Sequence, residues 1–431
     1  MERTLVEQLE QQTGAHVRLQ GWLHHQRRLS RVSFALLRDR SGVAQIVVTD
    51  AGARASLASL LPETVIEVEG VVTANAQAPG GVEVTEPSVT VISEPEVAPP
   101  FELRRAEIPA QLPTLLDHAA VALRHPHRRA IAAVGAASVA GFRATLNRLG
   151  FTEIFTPKVV ASATETGANV FPIDWFGRPA FLAQSPQLYK QVMVGVFERV
   201  FEVAPVFRAE PHDTVRHLAE YVSLDVELGF IRDHHDVMLV LRDVLAGMTE
   251  AVVDTTAREL ELLDLRLPVV PDEIPAIDFV AGQQLIEGDT GRPTLGEPDL
   301  APADERWLGE WAAREHGSDF VFVTGYPMAK RPFYTHPDPA RPEASNGFDL
   351  LFRGLELVTG GQRLHRYADY VHALEGRDLT PYEGYLEAFR HGMPPHGGFA
   401  IGLERWLARL TDAANVREVT LFPRDINRFT P

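Results

Sequence analysis

Phe207-Arg208-Ala209-Glu210 places an arginine and a glutamate two residues apart, and Thr214-Val215-Arg216-His217 adds another arginine and a histidine. Glu220-Tyr221-Val222-Ser223-Leu224-Asp225-Val226-Glu227 then alternates apolar with polar or acidic positions. Side chains two apart on a strand share a face, and charges on a half-buried face need partners or a ligand. Two readings fit: a ladder of ion pairs, or a cradle for a polyphosphate, whose oxygens a guanidinium grips in a fork. A second stretch, Gln184-Ser185-Pro186-Gln187-Leu188-Tyr189-Lys190-Gln191, sets Gln187 and Lys190 one turn apart on a helix opened by Ser185 and Pro186. Lys190 stands out because Lys158, Lys190 and Lys330 are the only lysines among 41 basic residues. The chain has no cysteine, no Gly-x-Ser-x-Gly elbow and no Gly-x-x-x-x-Gly-Lys phosphate loop, so neither a thiol nor an elbow serine offers covalent catalysis.

The elements that must hold these residues can be read from periodicity. Val200 to Val206, the polar loop and the alternating run after it predict a hairpin. Arg128 to Leu149 predicts an Ala-rich helix ended by Gly150, followed by Phe151–Pro157 as a strand stopped by proline. Asp233 to Leu262 and Asp304 to His316 predict helices, and Gly397 to Leu410 a strand that breaks into a helix at a glycine-rich turn. Before all of these, residues 1–100 show five short alternating segments and one helical stretch, Arg54 to Leu61. That pattern suits a Greek-key barrel of the oligonucleotide-binding kind. Arg27, Arg28, Arg31, Arg38 and Arg40 cluster near Phe34, which gives either a solvated basic hairpin or the charge and ring that a single-stranded RNA surface needs. The expected organisation is a barrel over 1–100, a Pro- and Glu-rich hinge over 101–124 and a catalytic domain over 125–431.

Composition narrows the function classes. A chain of 431 residues with 45% apolar content fits two globular domains. No uninterrupted apolar run reaches about 18 residues and the N-terminus lacks a signal-peptide core, so no membrane span is expected and the cytoplasm is the default. A net charge of −17 argues against nucleic-acid binding by bulk charge and leaves local basic patches.

Together the pieces resemble a class II aminoacyl-tRNA synthetase of subclass b over nearly the whole chain. Its three motifs appear in order: the helix with Phe151–Pro157, the Phe207–Glu210 hairpin, and Gly402-Leu403-Glu404-Arg405. The barrel in front is similar to that of the aspartate, asparagine and lysine subgroup. The Gln184–Gln191 segment resembles the aspartate-specific branch, in its short archaeal/eukaryotic type. The resemblance implies an OB-fold barrel joined to an α+β catalytic domain whose antiparallel sheet is flanked by helices. It implies an ATP site of Arg208, Glu210, Arg216, His217, Leu218, Tyr221, Glu356, Gly402, Glu404 and Arg405, and an aspartate site of Glu165, Gln187, Lys190, Arg208, Thr359 and Arg363. Asp349, Glu356 and Thr359 are implied as Mg²⁺ ligands, and His24, Phe34, Gln45, Pro79 and Glu83 as anticodon contacts.

The implied reaction is ATP-dependent activation of L-aspartate to aspartyl-adenylate, then transfer to the 3′ end of tRNA-Asp. His24 stands where discriminating relatives often carry a bulkier Trp, which points toward acceptance of tRNA-Asn as well and a link to a tRNA-dependent amidotransferase. Lys190 favours aspartate, since the asparagine enzymes lack a lysine there and asparagine would leave two cations unpaired. The family also implies a homodimer through helix 128–149 and its strand. One departure is Thr166-Gly167 after Glu165, where relatives carry two glycines. An asparaginyl enzyme and a non-catalytic tRNA-binding paralogue stay as alternatives.

Overall fold

The structure is a computed structural model describing residues 1–161 and 169–430. The chain divides into two compact units, Met1–His125 and Pro126–Pro431.

In the first unit, β1 (His16–Arg28), β2 (Ser33–Arg38), β3 (Val43–Val48), β4 (Val65–Ala74) and β5 (Val82–Ser93) close into a barrel in the order β1-β2-β3-β5-β4. Alternation explains the closure. Val17, Leu19, Leu23, Ala35, Leu37, Ala44, Ile46, Val68 and Val84 all point inward and form one buried core. Residues 101–124 carry two short helices, Leu112–Asp117 and Ala119–Ala122, the first with a proline in its opening turn. Arg124 ties this segment to the barrel through Glu63 at 2.9 Å.

The second unit is built on an eight-stranded sheet and a small three-stranded one. Its strands are β6 (Thr152–Glu153), β7 (Val159–Val160), β8 (Pro172–Trp175), β9 (Arg178–Leu182), β10 (Arg199–Phe207), β11 (Glu220–Gly229), β12 (Ala276–Asp278), β13 (Phe320–Thr324), β14 (Gly347–Phe352), β15 (Leu355–Gln362) and β16 (His396–Gly402). The large sheet runs β12-β13-β14-β15-β16-β11-β10-β6 and the small one β7-β9-β8. The large sheet is antiparallel except for its two outermost pairs, β12 with β13 and β10 with β6. One face is apolar: Leu224, Val226, Phe348, Leu350, Phe399 and Ile401 pack against helices Pro126–Arg148 and His234–Thr255. Those helices approach closely because Gly141 faces the carbonyl of Gly247, where a Cβ would come within 2.4 Å. Helix Pro126–Arg148 is long and apolar enough by composition to cross a membrane, but its apolar face is spent on this core.

Three elements differ from expectation. The predicted strand Phe151–Pro157 pairs only at Thr152–Glu153, because the Glu202 carboxylate takes both the amide and the hydroxyl of Thr156, at 2.8 and 2.7 Å. The helix predicted over Asp233–Leu262 breaks at Thr256 into His234–Thr255 and Ala257–Leu263. Arg208 and Glu210 lie just past the end of β10, in the loop that closes when the Arg208 amide donates to the Ala219 carbonyl at 2.8 Å.

Candidate active site

The face of the sheet opposite the helices carries the polar residues, as a period of two requires. Tyr221, Ser223, Asp225 and Glu227 leave β11 on this face while Leu224, Val226 and Leu228 enter the core. A cavity of about 350 Å³ opens over the Tyr221–Ser223 end of this row. All ten residues expected to hold ATP line it, joined by Thr359, His212, Ser223, Ala400 and Ile426.

The cavity is rich in arginine, and two of its arginines are held by acidic neighbours. Arg216 Nη1 bonds both Glu305 carboxylate oxygens, at 3.0 and 3.1 Å, and Glu305 also accepts the Glu356 amide at 2.9 Å. Arg405 Nη1 donates to the Glu356 carbonyl at 3.0 Å and lies 3.4 Å from its carboxylate. The Arg208 guanidinium lies over the Tyr221 ring, 5.7 Å from the centroid. Burial, with the nearby Arg405, pushes the His217 pKa down to about 4, so its ring is neutral; its Nδ1 lies 2.6 Å from the Thr214 hydroxyl. Glu404 has a different job from the others. Both its oxygens accept the Val222 amide, at 3.1 and 3.2 Å, at the point where β11 runs past the end of β16. Burial lifts this carboxyl to about 7.

Beyond Ser223 the charges become buried. Ser223 Oγ donates to Asp225 at 2.5 Å. Lys190, only 2% exposed, sits 3.0 Å from Asp225 and 3.3 Å from Glu227. Arg363 Nε donates to Glu227 at 3.0 Å and Nη2 to the Gly398 carbonyl at 3.0 Å. Gly398 is obligatory: a Cβ there would stand 2.2 Å from the Glu227 carboxylate. Burial raises the Glu227 pKa, but Arg363 and Lys190 more than offset it and hold the carboxyl below its ordinary value. This corrects the electrostatic argument made from sequence. Lys190 and Arg363 are already matched by Asp225 and Glu227, so a neutral ligand would not face two bare cations. Gln187 opens the helix that carries Lys190 (Gln187–Phe197) and is buried with its Nε2 unpartnered among the described residues. Glu165 lies outside the described residues.

Asp349 and Thr359 are direct cross-strand partners on β14 and β15, and the Thr359 hydroxyl donates to Glu356 at 3.2 Å. Burial pushes the Asp349 carboxyl up to about 6; Arg331 opposes that shift and the Glu356 charge adds to it. Two crowded carboxylates and a hydroxyl are hard oxygen donors that fit a divalent cation.

In the barrel, Phe34 and Gln45 lie on the outer face of β2 and β3, and Gln45 pairs with Glu83 across to β5. Glu83 accepts from Gln45 at 2.9 Å and from Asn75 at 2.8 Å, which fixes both amides. Pro79 is exposed on the turn Pro79–Gly81. His24 Nδ1 faces Arg38 at 3.1 Å, and burial with that cation lowers its pKa to about 4. Arg38 does not belong to the exposed basic cluster predicted around Phe34: it is 3% exposed and paired with Glu63 at 2.8 Å. Arg27, Arg28, Arg31 and Arg40 are exposed.

Sequence reasoning left out Ser223, Glu305 and Arg331 and gave no role to Asp225. The alternation Tyr221-x-Ser223-x-Asp225 carried the signal for two of them. Glu305 and Arg331 belong to no motif and reach the site only through the fold.

Residues 111–426 match the family of tRNA synthetases class II (D, K and N), and residues 17–92 match the OB-fold nucleic acid binding domain. An aspartate–tRNA(Asp/Asn) ligase of Deinococcus radiodurans is 49% identical over 438 residues, covering 100% of this chain and 99% of the relative. One of Thermus thermophilus is 48% identical, with both chains covered to 100%. The solved structure of asparaginyl-tRNA synthetase from Pyrococcus horikoshii complexed with asparaginyl-adenylate superposes with a TM-score of 0.93 at 30% identity, covering 100% of both chains.

Proposed function

The chain belongs to the class II tRNA synthetases of the D, K and N group, and from that premise we propose that it is an aspartate–tRNA ligase. The aspartate α-carboxylate attacks the α-phosphorus of ATP in line, forming aspartyl-adenylate and releasing pyrophosphate. A hydroxyl of the tRNA's terminal adenosine then attacks the activated carbonyl and AMP leaves. The protein's part is positioning and charge neutralisation, with no side-chain nucleophile.

Arg208 grips the α-phosphate, Glu210 accepts the adenine amino group, and Arg216 with neutral His217 meets the γ-phosphate. Tyr221 and Arg405 flank the adenine, and Leu218 and Gly402 shape its slot. Lys190, Arg363 and Gln187 receive the aspartate side chain. Asp225, opposite Lys190, supplies negative charge for the substrate ammonium together with Glu165. Asp349, Glu356 and Thr359 hold Mg²⁺, which supplies positive charge to the phosphate chain when bound. The observation that carries this reading is a buried lysine fixed between two carboxylates beside an arginine-lined cavity.

Because Lys190 and Arg363 come already compensated, selection rests on donor geometry. Their N–H groups meet a carboxylate that only accepts, whereas an asparagine amide would turn its own N–H groups toward donors. The barrel reads the anticodon through Phe34, Gln45, Pro79 and Glu83. The compact, neutral His24 supports charging of tRNA-Asn as well as tRNA-Asp, in the cytoplasm, with an amidotransferase consuming the misacylated product. Helix Pro126–Arg148 with the adjoining stretch, whose Phe155 is 84% exposed, forms the homodimer interface. Aspartylation of purified tRNA-Asp and tRNA-Asn tests the proposal. Charging of both is expected, no charging of tRNA-Asn removes the dual specificity, and no charging of either overturns the whole.

A further inference from the structure

Asp349 already has a cationic partner. Arg331, in the loop before β14, points Nη1 and Nη2 at the same Asp349 oxygen, Oδ1, each at 3.2 Å. Its guanidinium lies over Tyr326, 4.1 Å from the ring centroid, and the side chain is 12% exposed. Tyr326 and Asp349 are both buried, so ring, guanidinium and carboxylate pack as one enclosed unit. The Arg331 Nε is buried and has no partner among the described residues, and neither does the nearby Ser345 Oγ. Both atoms lie against Gly347, within 3.7 and 3.0 Å of where a Cβ would stand. A buried donor left open is costly. Arg331 is therefore seated on Asp349 through its two Nη groups, with its enclosed Nε turned toward Gly347.

Resting on the magnesium reading above, we propose that Arg331 is a positioning residue that stands in for the metal ion. A guanidinium bonded to Oδ1 and a divalent cation bound at that oxygen exclude each other by charge and by space. While Arg331 is seated, the crowded Asp349 and Glu356 are neutralised without metal, and metal binding to the nucleotide-free protein is opposed. An arriving triphosphate offers oxygens to the two Nη groups. That draws Arg331 off Oδ1 and frees the carboxylate for the ion delivered with the nucleotide. The outcome is that metal affinity becomes coupled to nucleotide occupancy.

The test is Mn²⁺ binding to the intact protein, followed by electron paramagnetic resonance with and without a non-hydrolysable ATP analogue. Wild type should bind Mn²⁺ weakly alone and more tightly with the analogue. Arg331→Met should bind Mn²⁺ on the order of tenfold more tightly without nucleotide, as expected for removing a competing charge, and should gain less when the analogue is added. Arg331→Lys, which keeps the charge but loses the two-pronged contact, should move the nucleotide-free affinity the same way by less, and it carries the test if the Met variant does not fold. An unchanged nucleotide-free affinity in the folded variants overturns the proposal. If wild type with the analogue binds no Mn²⁺, or Asp349→Asn binds it as wild type does, the magnesium reading itself fails, and with it the role of Arg331.

Discussion

At the amino-acid end of the candidate site, Lys190, Arg363, Asp225 and Glu227 are all buried and form ion pairs with one another. At the phosphate end, Arg216 and Arg405 face a cavity, with side chains 27% and 25% exposed, and rest on carboxylates that also have other partners. The first arrangement is rigid before any ligand arrives. Its charges are desolvated once, on folding, and each is costly to orphan. The second arrangement is exchangeable. Its arginines sit on acidic neighbours that phosphate oxygens can replace, so the protein carries the excess positive charge a triphosphate needs without leaving it bare. A small, single-valued ligand suits the first design, and a flexible polyanion that enters and leaves in pieces suits the second.

The contrast can be broken by substitution, and the largest effect belongs to the closed end. Lys190→Ala leaves Asp225 and Glu227 short of a buried partner and should cost roughly 3–5 kcal/mol in denaturant unfolding, while abolishing aspartate activation more completely than ATP binding. Equal loss of both functions with unchanged stability would put Lys190 outside the closed cluster. Arg405→Ala, at the open end, should leave stability within about 1 kcal/mol and lower ATP–pyrophosphate exchange on the order of 10²- to 10³-fold. A large drop in melting temperature would show that the open end is as structural as the closed one. Glu305→Ala should release Arg216 and raise KM for ATP about tenfold, an effect the size of one charged hydrogen bond, with kcat changed less. Glu305→Gln should recover part of the loss; no recovery would make Glu305 a packing residue only.

A pH-dependent effect concerns Glu404, a structural carboxyl inside the open end. Burial raises its pKa from 4.5 to about 7, so between those values the folded chain holds a proton that the unfolded chain has lost. Its stabilising contribution is full below pH 4.5 and lost as pH rises through 7. Glu404→Gln stays neutral and keeps an oxygen for the Val222 amide. Its stability relative to wild type should therefore rise between about pH 5 and about pH 8, by on the order of 1–3 kcal/mol. A pH-independent difference would contradict the buried, protonated state.

The open end was legible in the sequence because its residues sit in short contiguous motifs. Arg208, Glu210, Arg216, His217 and Tyr221 come from one hairpin, and Gly402, Glu404 and Arg405 from one turn, so local spacing places them together. The closed end was half legible. Lys190 and Arg363 were named, but their compensation by Asp225 and Glu227 joins residues 35 and 136 positions apart, which only the fold brings together. Arg38 was misplaced for the same reason: its partner Glu63 lies 25 residues away and pulls it out of the exposed basic cluster. The truncated strand after Phe151 follows from one side chain, Glu202, capturing Thr156, which no periodicity records.

Amino-acid-dependent ATP–pyrophosphate exchange tests the account most directly, because it reads both ends of the site in one reaction before any tRNA is present. With purified protein, MgATP and labelled pyrophosphate, L-aspartate should support exchange and L-asparagine at equal concentration should not. Exchange with asparagine but not aspartate would contradict the assignment of Lys190 and Arg363 to a carboxylate, and no exchange with either would leave the arginine-lined cavity without the chemistry proposed for it.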